Sequence, residues 1–291
     1  MNIYENKRAF LYILPALAFL SIFVFVPIIL NFYNSLYEWN AFSIEKVFVG
    51  LDYYQRLFTD PVFYTSLKNN VLYAIISLIC QVGGGLVLAA VLEEKFIRKF
   101  QPFFRTVFFI PSILSLAVVG LLWKMIYQPN IGIINEFVRA IGFTNFSFSF
   151  LGNSDTAIFA VIFVSQWQYT GYITMLFLVA MQKIPRELYE ASMIDGANRF
   201  RTFFHITVPQ VKEMILVAIT FTMVGAFKVF DEVYIMTGGG PGHATEVLGT
   251  MLFNSGFRND EMGYASAIAT VLFIITITLS FIQLRLSKTG K

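Results

Sequence analysis

Long apolar segments without a charged side chain limit what this sequence can fold into more than any other feature. A helix needs about 20 apolar residues to cross the roughly 30 Å hydrocarbon core of a bilayer. Residues 9–30 and 71–92 each supply such a segment without one Asp, Glu, Lys or Arg. The composition agrees, since 57% of the chain is hydrophobic and 13% is charged, against about 25% charged in soluble domains. We therefore predict an all-α integral membrane protein.

Six transmembrane helices are predicted from the positions of these segments. Their approximate ranges are 9–30, 71–92, 103–127, 157–181, 211–230 and 262–284. The fifth is the least apolar, because it contains Lys212, Glu213 and Lys228. The first follows two basic residues, as a secretory signal does, but it is longer than a signal h-region and no small-residue cleavage site follows it. We expect it to remain as a span.

The distribution of lysine and arginine predicts the orientation of the chain. With six spans both termini lie on one side of the membrane, and that side holds 14 of the 21 basic residues. Cytoplasmic loops are enriched in lysine and arginine. We therefore expect residues 1–8, the loop 185–209 and residues 285–291 to be cytoplasmic, with the six-helix domain extending over residues 9–284.

The loop between the fourth and fifth predicted spans, residues 185–209, is polar but strongly patterned. Pro185 precedes acidic residues, which favour a helix N-terminus. Gly196 follows an aspartate in a turn dipeptide, and glycine accepts a positive φ without steric cost. Asn198 is a good cap for a second short helix, and Pro209 follows that helix. The pattern predicts a helix, a sharp turn and a second helix, although an interfacial amphipathic anchor is an alternative on spacing alone.

The same loop carries a motif with a known family resemblance. Glu190, Ala191 and Ser192 are followed by three residues and then Gly196, and nine further residues lead to Ile-Thr-Val-Pro at 206–209. This closely resembles the EAA motif, which marks the permease subunits of bacterial ATP-binding-cassette importers. A serine stands where the motif more often has alanine, and a valine where it often has leucine. Both departures preserve size or apolarity.

In that family the loop forms coupling helices that seat in a cleft of the ATPase subunit. The resemblance implies that Glu190 makes a polar contact with the ATPase and that Gly196 makes the turn. It also implies that Ala191 and its neighbour let the helix approach closely, and that Arg199 and the phenylalanines after it support docking. The coupling residues expected in this way are Glu190, Ala191, Ser192, Asp195, Gly196, Arg199, Phe203 and Pro209.

The resemblance extends beyond the loop to nearly the whole chain. The segments FIPSILSLAVVGLLWKMIYQPNIGIIN, TGGGPGHATEV, GFRNDEMGYASAIATVLFII and GLDYYQRLFTDPVFYTSLKNN look like the carbohydrate-uptake branch of the family. The closest general resemblance is to sugar permeases of the maltose and multiple-sugar type. It implies the type I importer permease fold in a bacterial cytoplasmic membrane. It also implies four kinds of partner: a second homologous permease, a dimeric ATPase, an extracytoplasmic solute-binding protein and a sugar substrate.

The chain lacks the residues that would let it supply energy or catalysis itself. It contains no G-x-x-x-x-G-K-[ST] phosphate loop, so the ATP and magnesium of such an importer are expected on the partner ATPase and no cofactor on this chain. No nucleophile–base or metal constellation is visible, and the two histidines fall on opposite sides by the predicted topology. The net charge is +3 without a basic run, which gives no nucleic-acid footprint. We expect a non-catalytic permease.

Polar residues inside the fourth span suggest where a substrate passes. Polar groups within a bilayer are costly and usually face the bundle interior or a cavity. Gln166, Tyr169 and Tyr172 recur at helical spacing, and aromatic faces beside hydrogen-bonding groups suit neutral sugars. Resemblance to the maltose-type permeases favours Tyr172 above its neighbours, because an aromatic residue there lines the transport cavity. Helix packing is the alternative explanation for this cluster.

Lys228 is the most informative charge in the spans. Asp231 and Glu232 follow three and four residues later, so one interpretation pairs all three at the outer end of the fifth span. The other gives Lys228 an anionic substrate, such as a uronate or a phosphate ester. A secondary transporter is a rival class of function. It is disfavoured because the sequence shows no clear internal repeat and no carboxylate at a span centre.

Overall fold

The structure is a computed structural model and is mainly helical. It describes residues 3–94 and 96–289, with side chains from residue 12 to residue 285 within them. The termini expected to be cytoplasmic therefore lie largely outside the described side chains.

Two short strands, β1 (Tyr37–Glu38) and β2 (Val47–Phe48), pair antiparallel. The α-helices of the described residues are α1 (Ile3–Leu20), α2 (Val26–Asn34), α3 (Asp52–Thr59), α4 (Pro61–Ser77), α5 (Gly85–Glu93), α6 (Gln101–Ile113), α7 (Leu116–Ile126), α8 (Ile133–Ala140), α9 (Ala157–Met181), α10 (Arg186–Ile194), α11 (Arg199–Thr202), α12 (Val208–Gln210), α13 (Lys212–Phe227), α14 (Asp231–Met236), α15 (Leu248–Phe253) and α16 (Met262–Thr289).

The chain divides into two compact units, and the first contains residues 1–63 and 251–274. A π-helical segment, Ser21–Phe25, joins α1 to α2 in one continuous helix, and no residue from 12 to 34 is buried. Asn31 is a polar residue near the end of this helix, and its Nδ2 donates to the Ser266 carbonyl (3.2 Å) and to Thr270 Oγ1 (3.1 Å) of α16. One face thus binds α16, while the exposed apolar remainder suits contact with lipid.

A charged contact fixes the start of α16 within the same unit. The Arg56 guanidinium of α3 donates two parallel hydrogen bonds to the Glu261 carboxylate, at 2.8 and 2.9 Å. It also lies over the ring of Tyr264, 4.0 Å from the ring centroid. Bidentate geometry together with a cation–π contact makes this pair stronger than an ordinary surface salt bridge.

The second unit contains residues 64–250 and 275–291, and α9 lies at its centre. α9 contacts α5, α6, α7, α13 and α14. Fifteen of its 25 residues are buried, so it is covered by neighbouring helices on most sides. The helix matches the predicted fourth span, residues 157–181, at both ends.

Three helices of the described residues are long and apolar enough to cross a membrane, and two bent pairs raise the number to as many as five. The three are Tyr12–Asn34, Pro61–Glu93 and Met262–Arg285. α9 is long and uncharged, but the polar stretch in its middle leaves it outside this set. The count of six spans therefore stays a prediction.

The second predicted span is longer than expected, because a π-helical segment, Leu78–Gly84, joins α4 and α5 into 33 continuous residues.

The third predicted span is broken in two. α6 and α7 meet at 99°, so the helix expected over residues 103–127 is interrupted, and its role as one span stays a prediction. Pro111 lacks an N–H group and cannot donate to the carbonyl one turn earlier, which weakens the helix just before the break. Gln168 of α9 is buried, and its Nε2 donates to the carbonyl of Leu114 within the break (3.1 Å). A neighbouring helix thus supplies the partner that the broken backbone needs.

The fifth predicted span is interrupted at both ends. The helix ending at Gln210 meets α13 at 73°, where Val211 departs from helical backbone angles. α13 ends at Phe227, and the chain leaves helical geometry over residues 228–230 before α14 begins. The expected helix over 211–230 is therefore shorter than predicted.

Close approach of α6 to α9 depends on a glycine. A Cβ atom built at Gly171 would overlap the carbonyl oxygen of Phe108. Gly171 is itself buried in the centre of α9. No rotamer change relieves a clash with backbone, so the two helices can cross at this distance only without a side chain here.

We predict that Gly171→Ala destabilises the protein by about 1–3 kcal/mol or more, because the added methyl group forces the helices apart. Thermal unfolding of the purified protein in detergent measures the effect. Gly225→Ala of α13 is the matched control, because a Cβ there meets nothing within 4 Å. The control should be neutral or slightly stabilising. Equal melting temperatures for the two variants would contradict the packing argument.

Candidate functional site

A cavity of about 520 Å³ lies within the second unit. This volume falls in the range of small-molecule binding sites. α4, the π-helical segment after it, α9, α13 and α14 supply most of its wall. Its apolar and aromatic surface is interrupted by ten polar or charged residues. These are Tyr73, Ser77, Gln81, Ser165, Tyr169, Thr220, Thr222, Lys228, Asp231 and Glu232.

Residues 228–230, in the break between α13 and α14, line this cavity, and a buried asparagine stabilises the break. Asn70 of α4 is fully buried and donates from Nδ2 to the carbonyl of Ala226 (2.8 Å) at the end of α13. Its Oδ1 accepts a hydrogen bond from the backbone N–H of Leu248 (2.9 Å). The last carbonyls of a helix have no partner within that helix. The Asn70 side chain thus provides hydrogen-bond partners for the end of α13 and for the start of α15.

The glycine-rich segment after α14 is held in a similar way. Asn69 donates from Nδ2 to the carbonyls of Ala244 (2.9 Å) and Glu246 (2.8 Å). Gly239 has a φ of +93°, and a Cβ there would overlap the Glu246 carboxylate. The segment is therefore a tightly packed turn, with its glycine required by backbone conformation.

Of the four substrate-pathway residues predicted from the sequence, the structure brings Tyr169 and Lys228 to the cavity. Gln166 is buried beside it and donates from Nε2 to Ser77 Oγ (3.1 Å). Tyr172 packs against the aromatic rings of Phe109 in α6 and Phe221 in α13 instead. Each step of three residues along an α-helix ends about 60° short of a full turn. Positions 166 and 172 therefore differ by about 120° and cannot share one face.

The predicted pairing of Lys228 with the two carboxylates after it is absent. No salt bridge links its ammonium to a carboxylate in the part of the chain that the structure describes. The reason is the break in the helix: Lys228 caps the end of α13, whereas Asp231 begins α14. The spacing that brings residues together on one helix does not apply across two helices.

Glu232 is the cavity residue that sequence reasoning missed as a site. Only 5% of it is exposed. Burial raises the pKa of its carboxyl to about 7, and the nearby Asp231 carboxylate adds to the rise. The sequence interpretation assigned Glu232 to an ion pair, which hid its buried position. Gln81 also lines the cavity.

The patterned loop has the predicted local structure. α10 begins directly after Pro185 and ends before the turn, where Gly196 has a φ of +73°. Asn198 caps α11, since its Oδ1 accepts a hydrogen bond from the backbone N–H of Arg201 (2.9 Å). The chain continues through a π-helical segment, Phe203–Thr207, into α12.

The side chains of the loop divide into an exposed set and an inward set. Glu190, Ala191, Asp195, Gly196, Arg199 and Pro209 are exposed, whereas Phe203 is half-buried. Ser192 is buried within the loop, where its Oγ donates to the Tyr189 carbonyl (2.8 Å) and lies 3.3 Å from Thr202 Oγ1. The exposed surface also includes large apolar side chains: Met193, Ile194, Phe200 and Phe204.

Comparison with known proteins assigns the chain to a family. Residues 81–288 match the model of the binding-protein-dependent transport system inner membrane component. The chain is 57% identical over 288 residues to the probable ABC transporter permease protein YurN of Bacillus subtilis, covering 99% of this chain and 98% of the relative. It is 31% identical over 284 residues to the trehalose/maltose transport system permease protein MalF of Thermococcus litoralis, covering 98% and 95%.

A solved structure shares the fold. One chain of a bacterial alginate ABC transporter superimposes with a TM-score of 0.85, at 20% identity, over 99% of this chain and 96% of that chain. The protein thus belongs to the family of binding-protein-dependent transport system inner membrane components. It is a multi-pass membrane permease of the ATP-binding-cassette class, as the resemblance of the loop and flanking segments predicts.

We predict that Asn70→Ala destabilises the protein, because the Ala226 carbonyl and the Leu248 N–H lose their partner in a buried place. Each unsatisfied group costs about 1–3 kcal/mol. The melting temperature of the purified protein should fall clearly. Asn130→Ala, at an exposed asparagine, should leave it within error. An unchanged melting temperature in Asn70→Ala would show that the break does not depend on this amide.

Proposed function

We propose that this chain is one permease subunit of an ATP-driven importer for a sugar or oligosaccharide. It forms half of the translocation pathway and pairs with a second homologous permease. Membership of the binding-protein-dependent family carries the proposal. Relatives named for trehalose/maltose, arabinooligosaccharides and lactose support the substrate class. The cavity supports it too, since phenol, hydroxyl and amide groups among aromatic faces match the surface of a sugar.

In this proposal the chain spans the cytoplasmic membrane six times, with both termini and the loop 185–209 in the cytoplasm. α9 is the sixth span that length and apolarity alone do not reveal. Its polar middle is compatible with a membrane because neighbouring helices cover it. An extracytoplasmic solute-binding protein delivers the substrate, and ATP and magnesium bind to a partner ATPase dimer.

The loop 185–209 docks on that ATPase. Exposed apolar side chains at Met193, Ile194 and Phe200 next to exposed charges are typical of a surface that a partner covers. Glu190 and Ala191 lie on this exposed side and contact the partner. Ser192 is buried within the loop, so its small size serves packing between the two short helices. Gly196 makes the turn that brings them together.

A second candidate is the same class of importer for an anionic substrate, with Lys228 as its contact. Lys228 forms no ion pair among the described residues, so its ammonium is available to bind an anionic substrate. The alginate transporter resembles this chain at 20% identity and supports the fold rather than the substrate. A self-sufficient secondary transporter is disfavoured by the family, whose members serve binding-protein-dependent systems.

We expect the charge reversal Glu190→Lys to reduce ATP-dependent uptake by the reconstituted importer more than tenfold and to release the ATPase during co-purification, because a contact at the docking surface is lost. Insertion of the chain in the membrane should be normal. Glu45→Lys, at an exposed carboxylate far along the sequence, is the control and should retain the ATPase. Normal uptake and normal co-purification by Glu190→Lys would sink the coupling proposal.

Tyr169 and Tyr172 provide a second test. Tyr169→Ala should raise the apparent KM for the transported sugar about tenfold or more, because Tyr169 lines the cavity and Tyr172 does not. Tyr172→Ala should act mainly on thermal stability, through its lost ring contacts with Phe109 and Phe221. The reverse pattern would assign the substrate to the face of α9 that carries Tyr172.

A further inference from the structure

Burial of the Glu232 carboxyl costs folding free energy. It lies in the first turn of α14, 5% exposed, and lines the cavity. No salt bridge to it occurs among the residues that the structure describes. A buried carboxyl without a cation is destabilising unless hydrogen bonds compensate it. A hydrogen bond from the backbone N–H of Glu232 itself offers partial compensation.

The charges around the cavity favour one class of ligand. Its charged residues are Lys228, Asp231 and Glu232, of which Lys228 and Asp231 are exposed. Recognition of a carboxylated ligand normally uses arginine forks or several cations. This cavity has no arginine and two carboxyls. A carboxylated sugar would therefore be repelled by the ionised form of Glu232, whose side chain is buried.

The remaining polar groups suit a ligand rich in hydroxyls. Tyr169, Thr220 and Thr222 contribute hydroxyl groups, and Thr222 Oγ1 is buried without a hydrogen-bond partner in the described residues. Phe221 and Phe230 add aromatic surface for the apolar face of a sugar ring. When it is ionised, a carboxylate can accept two hydrogen bonds from neighbouring hydroxyls at once, and bonds to a charged acceptor are stronger than neutral ones.

We infer that Glu232 is a specificity-determining residue that binds vicinal hydroxyls of a neutral saccharide and excludes uronates from the cavity. This inference rests on the proposed function and narrows its substrate class. A purely structural role, in which Glu232 only supports the start of α14, is the competing explanation. The neutral isostere Glu232→Gln distinguishes the two roles. It changes saccharide affinity if Glu232 binds the ligand, and thermal stability if Glu232 only supports α14.

The test uses the purified complex of both permeases and the ATPase, without the binding protein, so that only the permeases select the ligand. Equilibrium binding of labelled maltotriose, arabinotriose and trigalacturonate is measured for the wild type, Glu232→Gln and Glu45→Gln. The wild type should bind at least one neutral trisaccharide and no trigalacturonate. Glu232→Gln should weaken that binding about tenfold or more, and Glu45→Gln, at an exposed carboxylate that does not line the cavity, should stay within about twofold.

Three results would overturn the inference: trigalacturonate binding as tight as that of the neutral sugars, unchanged affinity in Glu232→Gln, or a fall in melting temperature that accounts for its lost binding. ATP-dependent uptake by the complete importer is measured in parallel. If Glu232→Gln leaves the uptake of a neutral sugar unaltered, this inference is overturned and the proposed function is not. A wild-type system that neither binds nor transports any saccharide overturns the proposed function, and the inference with it.

Discussion

Broken helices inside an apolar bundle need hydrogen-bond partners for the backbone groups that they release, and this requirement governs the second unit. No water is available in the hydrocarbon to satisfy such groups, so irregular backbone survives only where protein covers it. Gln168 serves the break between α6 and α7, and Asn70 serves the break after α13. Asn69 does the same for the glycine-rich segment. Three buried amides thus permit the geometry from which the cavity arises.

The same requirement explains why α9 is both central and polar. Its amide and hydroxyl side chains would be costly on a lipid-facing helix. Surrounded by α5, α6, α7, α13 and α14, they instead bond to neighbouring backbone or border the cavity. Gly171 then allows α6 to approach closely enough for Gln168 to reach its target. Packing and hydrogen bonding at this crossing therefore depend on each other.

Much of this arrangement follows from the sequence, and the exceptions have physical causes. Apolar runs locate α9 to the residue, and turn chemistry predicts the helix, Gly196 turn and Asn198 cap of the loop. Pro111 was a local signal for the break at Leu114, but the amide that stabilises the break belongs to another helix, and no local pattern records such a partner. The supposed ion pair of Lys228 failed for a related reason. Helical spacing was applied across a break whose support, Asn70, lies more than 150 residues away.

α13 connects the two candidate sites, and its form suits the role that the proposed function gives it. The helix begins just after the loop 185–209 and ends where residues 228–230 border the cavity. Sixteen residues at 1.5 Å each give a rod of about 24 Å. Both of its ends are interrupted, by the 73° bend at Val211 and by the break before α14. A helix between two breaks in the backbone can tilt as a unit without unfolding. Movement of a docked loop would then reach the cavity at Lys228 and, through the short chain that follows, at Glu232.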